Sequence, residues 1–85
     1  LSEKQSFIDR VSKINNVEII PSASNFMLLK FTNDDGSNIY EKLLHKGIVV
    51  RDVSGTKGLE NYIRINIGLP DENNKLIQAI EEVSI

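Results

Sequence analysis

The segment YIRINI, Tyr62 to Ile67, constrains this chain more than any other. Successive side chains of an extended segment point to opposite sides. Ile63, Ile65 and Ile67 therefore share one face, and Tyr62, Arg64 and Asn66 share the other. A strand with one apolar face is half buried, and its polar face meets water, a ligand or another body of protein. YIRINI closes a longer stretch, Gly47 to Gly68. This reads as a short strand over Ile48 to Asp52, a loop with two glycines over Ser54 to Asn61, and the YIRINI strand. Each strand carries one arginine, Arg51 and Arg64, out of three in the chain. The planar guanidinium fork matches carboxylate and phosphate oxygens, so these two residues are candidates for an anion grip. The plainer reading is a pair of surface arginines in rim salt bridges, with Asp52 and Glu60 near Arg51 in sequence.

The remaining segments supply helices and further strands. Ser2 and Gln5 have the spacing of a capping box, and Phe7, Ile8, Val11 and Ile14 recur at helical spacing until Asn15-Asn16. Val17 to Ile20 is a short apolar strand stopped by Pro21, and Asn25 to Thr32 is a strand apolar on both faces and expected to be central. The cluster Asn33 to Ser37 is a turn that supplies a helix cap. Ile39, Tyr40, Leu43 and Leu44 form the stripe of a second helix, with Gly47 just past its end in the left-handed position. Pro70, Asp71 and Glu72 open a third helix with the stripe Leu76, Ile77, Ile80 and Val83. The order helix, strand, strand, helix, strand, strand, helix predicts an α+β two-layer sandwich, three helices on one face of a small, mostly antiparallel sheet. The other sheet face, with Arg64, is left in need of company.

Eighty-five residues make one small domain with a thin core. A net charge of −2 gives no electrostatic footprint for nucleic acid or an acidic membrane. There is no cysteine, hence no disulfide, thiolate nucleophile or sulfur metal site. No apolar run reaches the roughly 20 residues that span a bilayer, and no signal-peptide layout is present, so a cytoplasmic setting is expected. The first residue is not methionine, which suggests a processed chain or a piece of a longer one.

No complete catalytic set is legible. Ser54-Gly55-Thr56-Lys57-Gly58 lacks the order of a phosphate-binding loop and leads into a strand rather than a helix. An exposed loop lysine such as Lys57 keeps its charge and is a weak nucleophile. His45 stands alone near a helix end, where a cation suits the macrodipole. The acids Asp34-Asp35, Asp71-Glu72 and Glu81-Glu82 form no spaced acid/base pair.

Three blocks nevertheless resemble a known family. They are Ser-x-x-Asn-Phe ahead of an apolar strand (Ser22 to Leu29), Gly-Ile-x-Val-Arg-Asp (Gly47 to Asp52), and Gly-Leu-Glu-Asn-x-x-Arg-Ile-x-Ile-Gly-x-Pro-x-Glu-Asn (Gly58 to Asn73). Together they look like the C-terminal small domain of the histidinol-phosphate aminotransferases, which are fold type I enzymes dependent on pyridoxal 5'-phosphate. The resemblance runs over essentially the whole chain. It implies that Arg64 grips the carboxylate of the amino-acid or keto-acid substrate, and that Arg51 helps hold the substrate phosphate. It implies substrates L-histidinol phosphate and 2-oxoglutarate or glutamate, and a place in histidine biosynthesis. The Schiff-base lysine and the aspartate that pairs with the cofactor's pyridine nitrogen belong to a large domain upstream, and Lys57 does not correspond to that lysine. Residues 1–85 would then be a catalytically inert piece, with its open sheet face toward the large domain of the same polypeptide. The full-length protein would be a homodimer. Two alternatives stay open: the same domain of a threonine-phosphate decarboxylase, and a free-standing, non-enzymatic α+β module that binds an anion or a protein.

Overall fold

The computed structural model describes residues 2–85. Its elements run α1 (Glu3–Val11), β1 (Val17–Ile20), β2 (Phe26–Phe31), α2 (Gly36–His45), β3 (Arg51–Asp52), β4 (Tyr62–Asn66) and α3 (Pro70–Val83). The four strands form one antiparallel sheet in the order β1-β2-β4-β3. The three helices cover one face, as their stripes require, and the α+β two-layer sandwich expected from the pattern is what the chain forms. The strand β2 is indeed internal.

The core lies between the sheet and the helices. Met27, Leu29 and Phe31 of β2 and Ile63 and Ile65 of β4 meet Phe7 and Val11 of α1, Ile39 and Leu43 of α2, and Leu76, Ile77, Ile80 and Val83 of α3. Only one face of β2 belongs to it. Leu28 and Lys30 are half-buried and Phe26 is exposed, so the apolar character of β2's second face serves something other than this core. In α2, Ile39 and Leu43 are buried, whereas Tyr40 is half-buried and Leu44 exposed, so the expected stripe is narrower than four residues.

Three further expectations are corrected. The first helix stops at Val11 rather than running on through Ile14. After Val11 the chain tightens, with Ile14 N–H donating to Val11 O at 3.0 Å, an i→i−3 bond. Ile14 still packs against the core from this turn. Of the capping box only half forms: Ser2 Oγ accepts from Gln5 N–H at 3.1 Å, but the Gln5 amide turns along the helix to Asp9 at 2.9 Å. The strand expected over residues 48–52 pairs only at Arg51 and Asp52. Ile48 N–H is taken instead by Leu43 O at 2.9 Å, which holds that segment against the end of α2 and away from β4. Gly47, at φ +79°, makes the left-handed exit from α2 that its place predicts.

Candidate functional site

The register of β4 with its neighbours builds the open face. Leu28 pairs with Arg64 on one side of β4, Arg51 pairs with Arg64 on the other, and Ile20 pairs with Leu28. A single row therefore crosses all four strands as Ile20, Leu28, Arg64, Arg51. Directly opposed residues of an antiparallel pair project from the same face with Cβ atoms about 5 Å apart. Ile63 and Ile65, flanking Arg64, are buried on the helix side, so Arg64 and Arg51 project together from the side that no helix covers.

Among the described residues no carboxylate pairs with them. Asp52 pairs with Ile63 and so lies on the opposite face from Arg51. Its carboxylate accepts from the Ser54 hydroxyl and from Ser54 N–H at 2.8 Å, and these bonds hold it below the usual aspartate range. Glu60 accepts from Gly58 N–H at 3.0 Å and is likewise held low by backbone donors. The ion pairs among the described residues are Lys42–Asp34 at 3.0 Å, from α2 to the turn before it, and Lys46–Glu82 at 3.4 Å, from the end of α2 to α3. Arg51 is exposed; Arg64 is half-buried, with its guanidinium carbon 4.7 Å from the ring centroid of Phe26. A groove of about 340 Å³, walled by Ile20, Pro21, Phe26 and Leu28, has Arg64 as its one charged group.

The other candidates fall away from this row. The loop after β3 spends its amides internally: Ser54 N–H on Asp52, Thr56 N–H on Val53 O, Gly58 N–H on Glu60 and Leu59 N–H on Thr56 O. Four of its amides are thus turned away from any phosphate, and Lys57 is exposed on it. His45 is exposed, its Nδ1–H donating to Glu41 O at 2.8 Å. Among the described residues no cluster of His, Asp and Glu could hold a metal ion. A hollow of about 710 Å³ lies on the helix side between the ends of α1 and α3. Its Asn16 amide already donates to Ser84 O at 3.0 Å, and its Arg10 already donates to Asn74 at 2.6 Å.

Residue reading missed the parts that hold the row in place. Asn73 is fully buried. It accepts from Gly68 N–H at 2.9 Å and donates to Gly68 O at 3.1 Å and to Glu3 at 2.9 Å, so one amide closes the β4–α3 turn and ties it to α1. Asn61 donates to Asp34 O at 2.8 Å and Phe31 O at 3.3 Å, fixing where β4 starts. Gly36 lies against β4: a Cβ there would stand 2.1 Å from Tyr62 O. All three are polar or small residues beside strong apolar patterns, where periodicity carries no signal.

Comparison with known proteins agrees with this architecture. The family described as aminotransferase class I and II matches residues 1–80. The histidinol-phosphate aminotransferase of Aquifex aeolicus (strain VF5) is 38% identical over 82 residues, which are 96% of this chain and 23% of that protein. Among solved structures, the histidinol-phosphate aminotransferase of Clostridium acetobutylicum superposes with a TM-score of 0.88 at 28% identity, covering 96% of this chain and 25% of that one. The L-threonine-O-3-phosphate decarboxylase of Porphyromonas gingivalis superposes equally well, at a TM-score of 0.88 and 29% identity, over 95% of this chain and 26% of that one. The chain thus spans about a quarter of the length of the relatives it matches. Enzymes of this family work with pyridoxal phosphate, yet no lysine of this chain is buried, so none has the desolvated setting that activates an amine for a Schiff base. By sequence and by fold, the chain belongs to the class I and II aminotransferases.

Proposed function

We propose that this chain is the C-terminal small domain of a pyridoxal-phosphate-dependent histidinol-phosphate aminotransferase, and that its role is to hold substrate. The parent reaction would move an amino group from L-histidinol phosphate to 2-oxoglutarate, giving imidazole acetol phosphate and glutamate. One observation carries this reading: Arg51 and Arg64 stand directly opposite each other on an uncovered sheet face, with no acid partner among the described residues. Like charges in that position are destabilising, and a bound anion relieves them. Arg64, half-buried on an internal strand, suits the substrate carboxylate. Arg51, exposed on the edge strand, suits the more exposed phosphate. A guanidinium on a rigid strand pre-orients its ligand and so lowers the entropic part of the barrier. The cofactor, its Schiff-base lysine and the pyridine-nitrogen aspartate would be supplied by a large domain of the same polypeptide, against which the open face docks. We take the assembled enzyme to be a cytoplasmic homodimer.

The threonine-phosphate decarboxylase reading is favoured by one specific observation, the equal structural match to the Porphyromonas enzyme. A threonine-phosphate substrate also carries a phosphate and a carboxylate. Purified full-length protein decides between the two: amino transfer from L-histidinol phosphate to 2-oxoglutarate is expected, and carbon dioxide release from threonine phosphate is the outcome that overturns it. Loss of neither activity on Arg64→Lys would remove the anion grip altogether.

A further inference from the structure

We propose, resting on the anion-grip reading of Arg64, that Phe26 is a positioning residue for that grip. The Ser-x-x-Asn-Phe segment would then belong to the substrate site rather than to the core. Phe26 is 49% exposed on the uncovered face, so burial within this chain does not account for a large aromatic there. Phe26 pairs with Asn66, one diagonal step from Arg64 on the same face. That step is within reach of an aromatic side chain. The guanidinium carbon lies over the ring, 4.7 Å from its centroid, a cation–π contact.

The backbone that carries the ring is tied down by the two serines before it. Ser24 Oγ accepts from Phe26 N–H at 3.2 Å, and Ser22 Oγ donates to Phe26 O. Ile67 N–H donates to Asn25 O at 2.9 Å, extending the β4 contact back to the turn. Lys4 donates to Ser22 O at 2.7 Å, anchoring that turn to α1. A ring held in this way flanks the guanidinium and limits its motion. The fork edge is left free for a carboxylate, and no charged group competes for it. A long arginine without such a platform loses more rotamer freedom on binding.

The test uses the full-length protein and glutarate, a dicarboxylate with no reacting carbonyl, with Kd measured by calorimetry. Phe26→Leu keeps apolar bulk and removes the ring; it is expected to weaken glutarate about 3- to 30-fold, the span of a guanidinium–ring contact. Phe26→Tyr should stay within about twofold of the parent. In an Arg64→Gln background, which removes the cation, Phe26→Leu should add less than about twofold, the mark of coupling in a double-mutant cycle. Nuclear magnetic resonance gives a readout independent of affinity: the Arg64 Nε–Hε signal should carry a ring-current shift that Phe26→Leu abolishes and Phe26→Tyr retains. Glutarate binding unchanged in Phe26→Leu, or weakened equally with and without the Arg64 guanidinium, overturns the proposal. If glutarate follows the expected pattern while L-histidinol phosphate gives no amino transfer, the positioning role stands and the substrate assignment fails.

Discussion

At the scale of single residues, the two arginines differ in what surrounds them, and their variants should differ accordingly. Arg64 is half-buried on an internal strand and in cation–π contact with Phe26, while Arg51 is exposed on a two-residue edge strand. Truncating one partner of a desolvated charged contact costs about 2–5 kcal/mol of binding. Arg64→Ala in the full-length protein is therefore expected to lower kcat/KM for both amino donor and acceptor by about 30-fold or more. Arg51→Ala should raise KM for the phosphorylated substrate and leave a simple amino acid nearly unaffected. Steady-state kinetics with both substrates checks the division; equal losses in Arg51→Ala would remove it. Gly36 is a residue-scale case of a different kind. A methyl group there would overlap the Tyr62 carbonyl at 2.1 Å, with backbone on both sides of the clash. Gly36→Ala should cost about 3 kcal/mol or more in denaturant unfolding, since neither α2 nor β4 can shift without disturbing the sheet.

At the scale of elements, the ends of helices and strands decide how the arginine row is held. The turn from β4 into α3 has two backbone groups of Gly68 satisfied by the Asn73 side chain, and Leu69 N–H satisfied by Glu72 at 3.0 Å. Leu69 has no polar side chain to return the bond, so Asn73 and Glu72 do the capping from inside the helix. Asn73→Ala leaves the Gly68 backbone groups and Glu3 without their side-chain partner and should destabilise by about 1–3 kcal/mol, measured as a shift of the urea midpoint with unchanged slope. The start of α2 is fixed from the other side. Asp35 caps it by accepting from Asn38 N–H at 2.7 Å, and Asp34 accepts from Asn38 Nδ2 at 2.9 Å and from Lys42 at 3.0 Å. These contacts run through one loop, residues 32–35, that also receives the Asn61 amide. The turn acts as a hub that sets β4 relative to α2.

At the scale of the whole molecule, the sandwich is one-sided: helices cover one sheet face, and the other carries Phe26, Leu28, Arg64 and Arg51 to the surface. Among the described residues no helix is long and apolar enough to cross a membrane. The acids that might have neutralised the arginines are engaged elsewhere, and this has a consequence for pH. Burial works against ionisation of Asp34, but its bonds to Asn38, Lys42 and the Asp35 amide outweigh burial and bring its carboxyl below the usual range. Asp52 and Glu60 are lowered by Ser54 and Gly58 donors. A carboxyl that titrates lower when folded binds its proton more tightly in the unfolded chain. Its contribution is complete above the unfolded value and is lost as pH falls through the folded one. Thermal stability should therefore hold at neutral pH and fall below about pH 4. Asp34→Asn should flatten that acid limb; a melting temperature equally steep in parent and variant would contradict the assignment.

Much of this was legible without coordinates, and the reason is spacing. Helix and strand periods are local properties of consecutive residues, so the alternation of Ile63, Ile65 and Ile67, the stripe of α3 and the left-handed Gly47 determined element type, order and the α+β class. The three motif blocks pointed to the family for the same reason, since each is a short contiguous run. Local periods say nothing of which residue of one strand lies opposite which residue of another. The pairing of Arg51 with Arg64, thirteen positions apart, depends on how far the β3 segment is drawn toward α2 before it meets β4. The contact of Phe26 with Arg64 depends on the register of β2. The closure of the β4–α3 turn depends on an asparagine reaching back from inside a helix. These are non-local hydrogen bonds and packing contacts, and only the folded chain decides them.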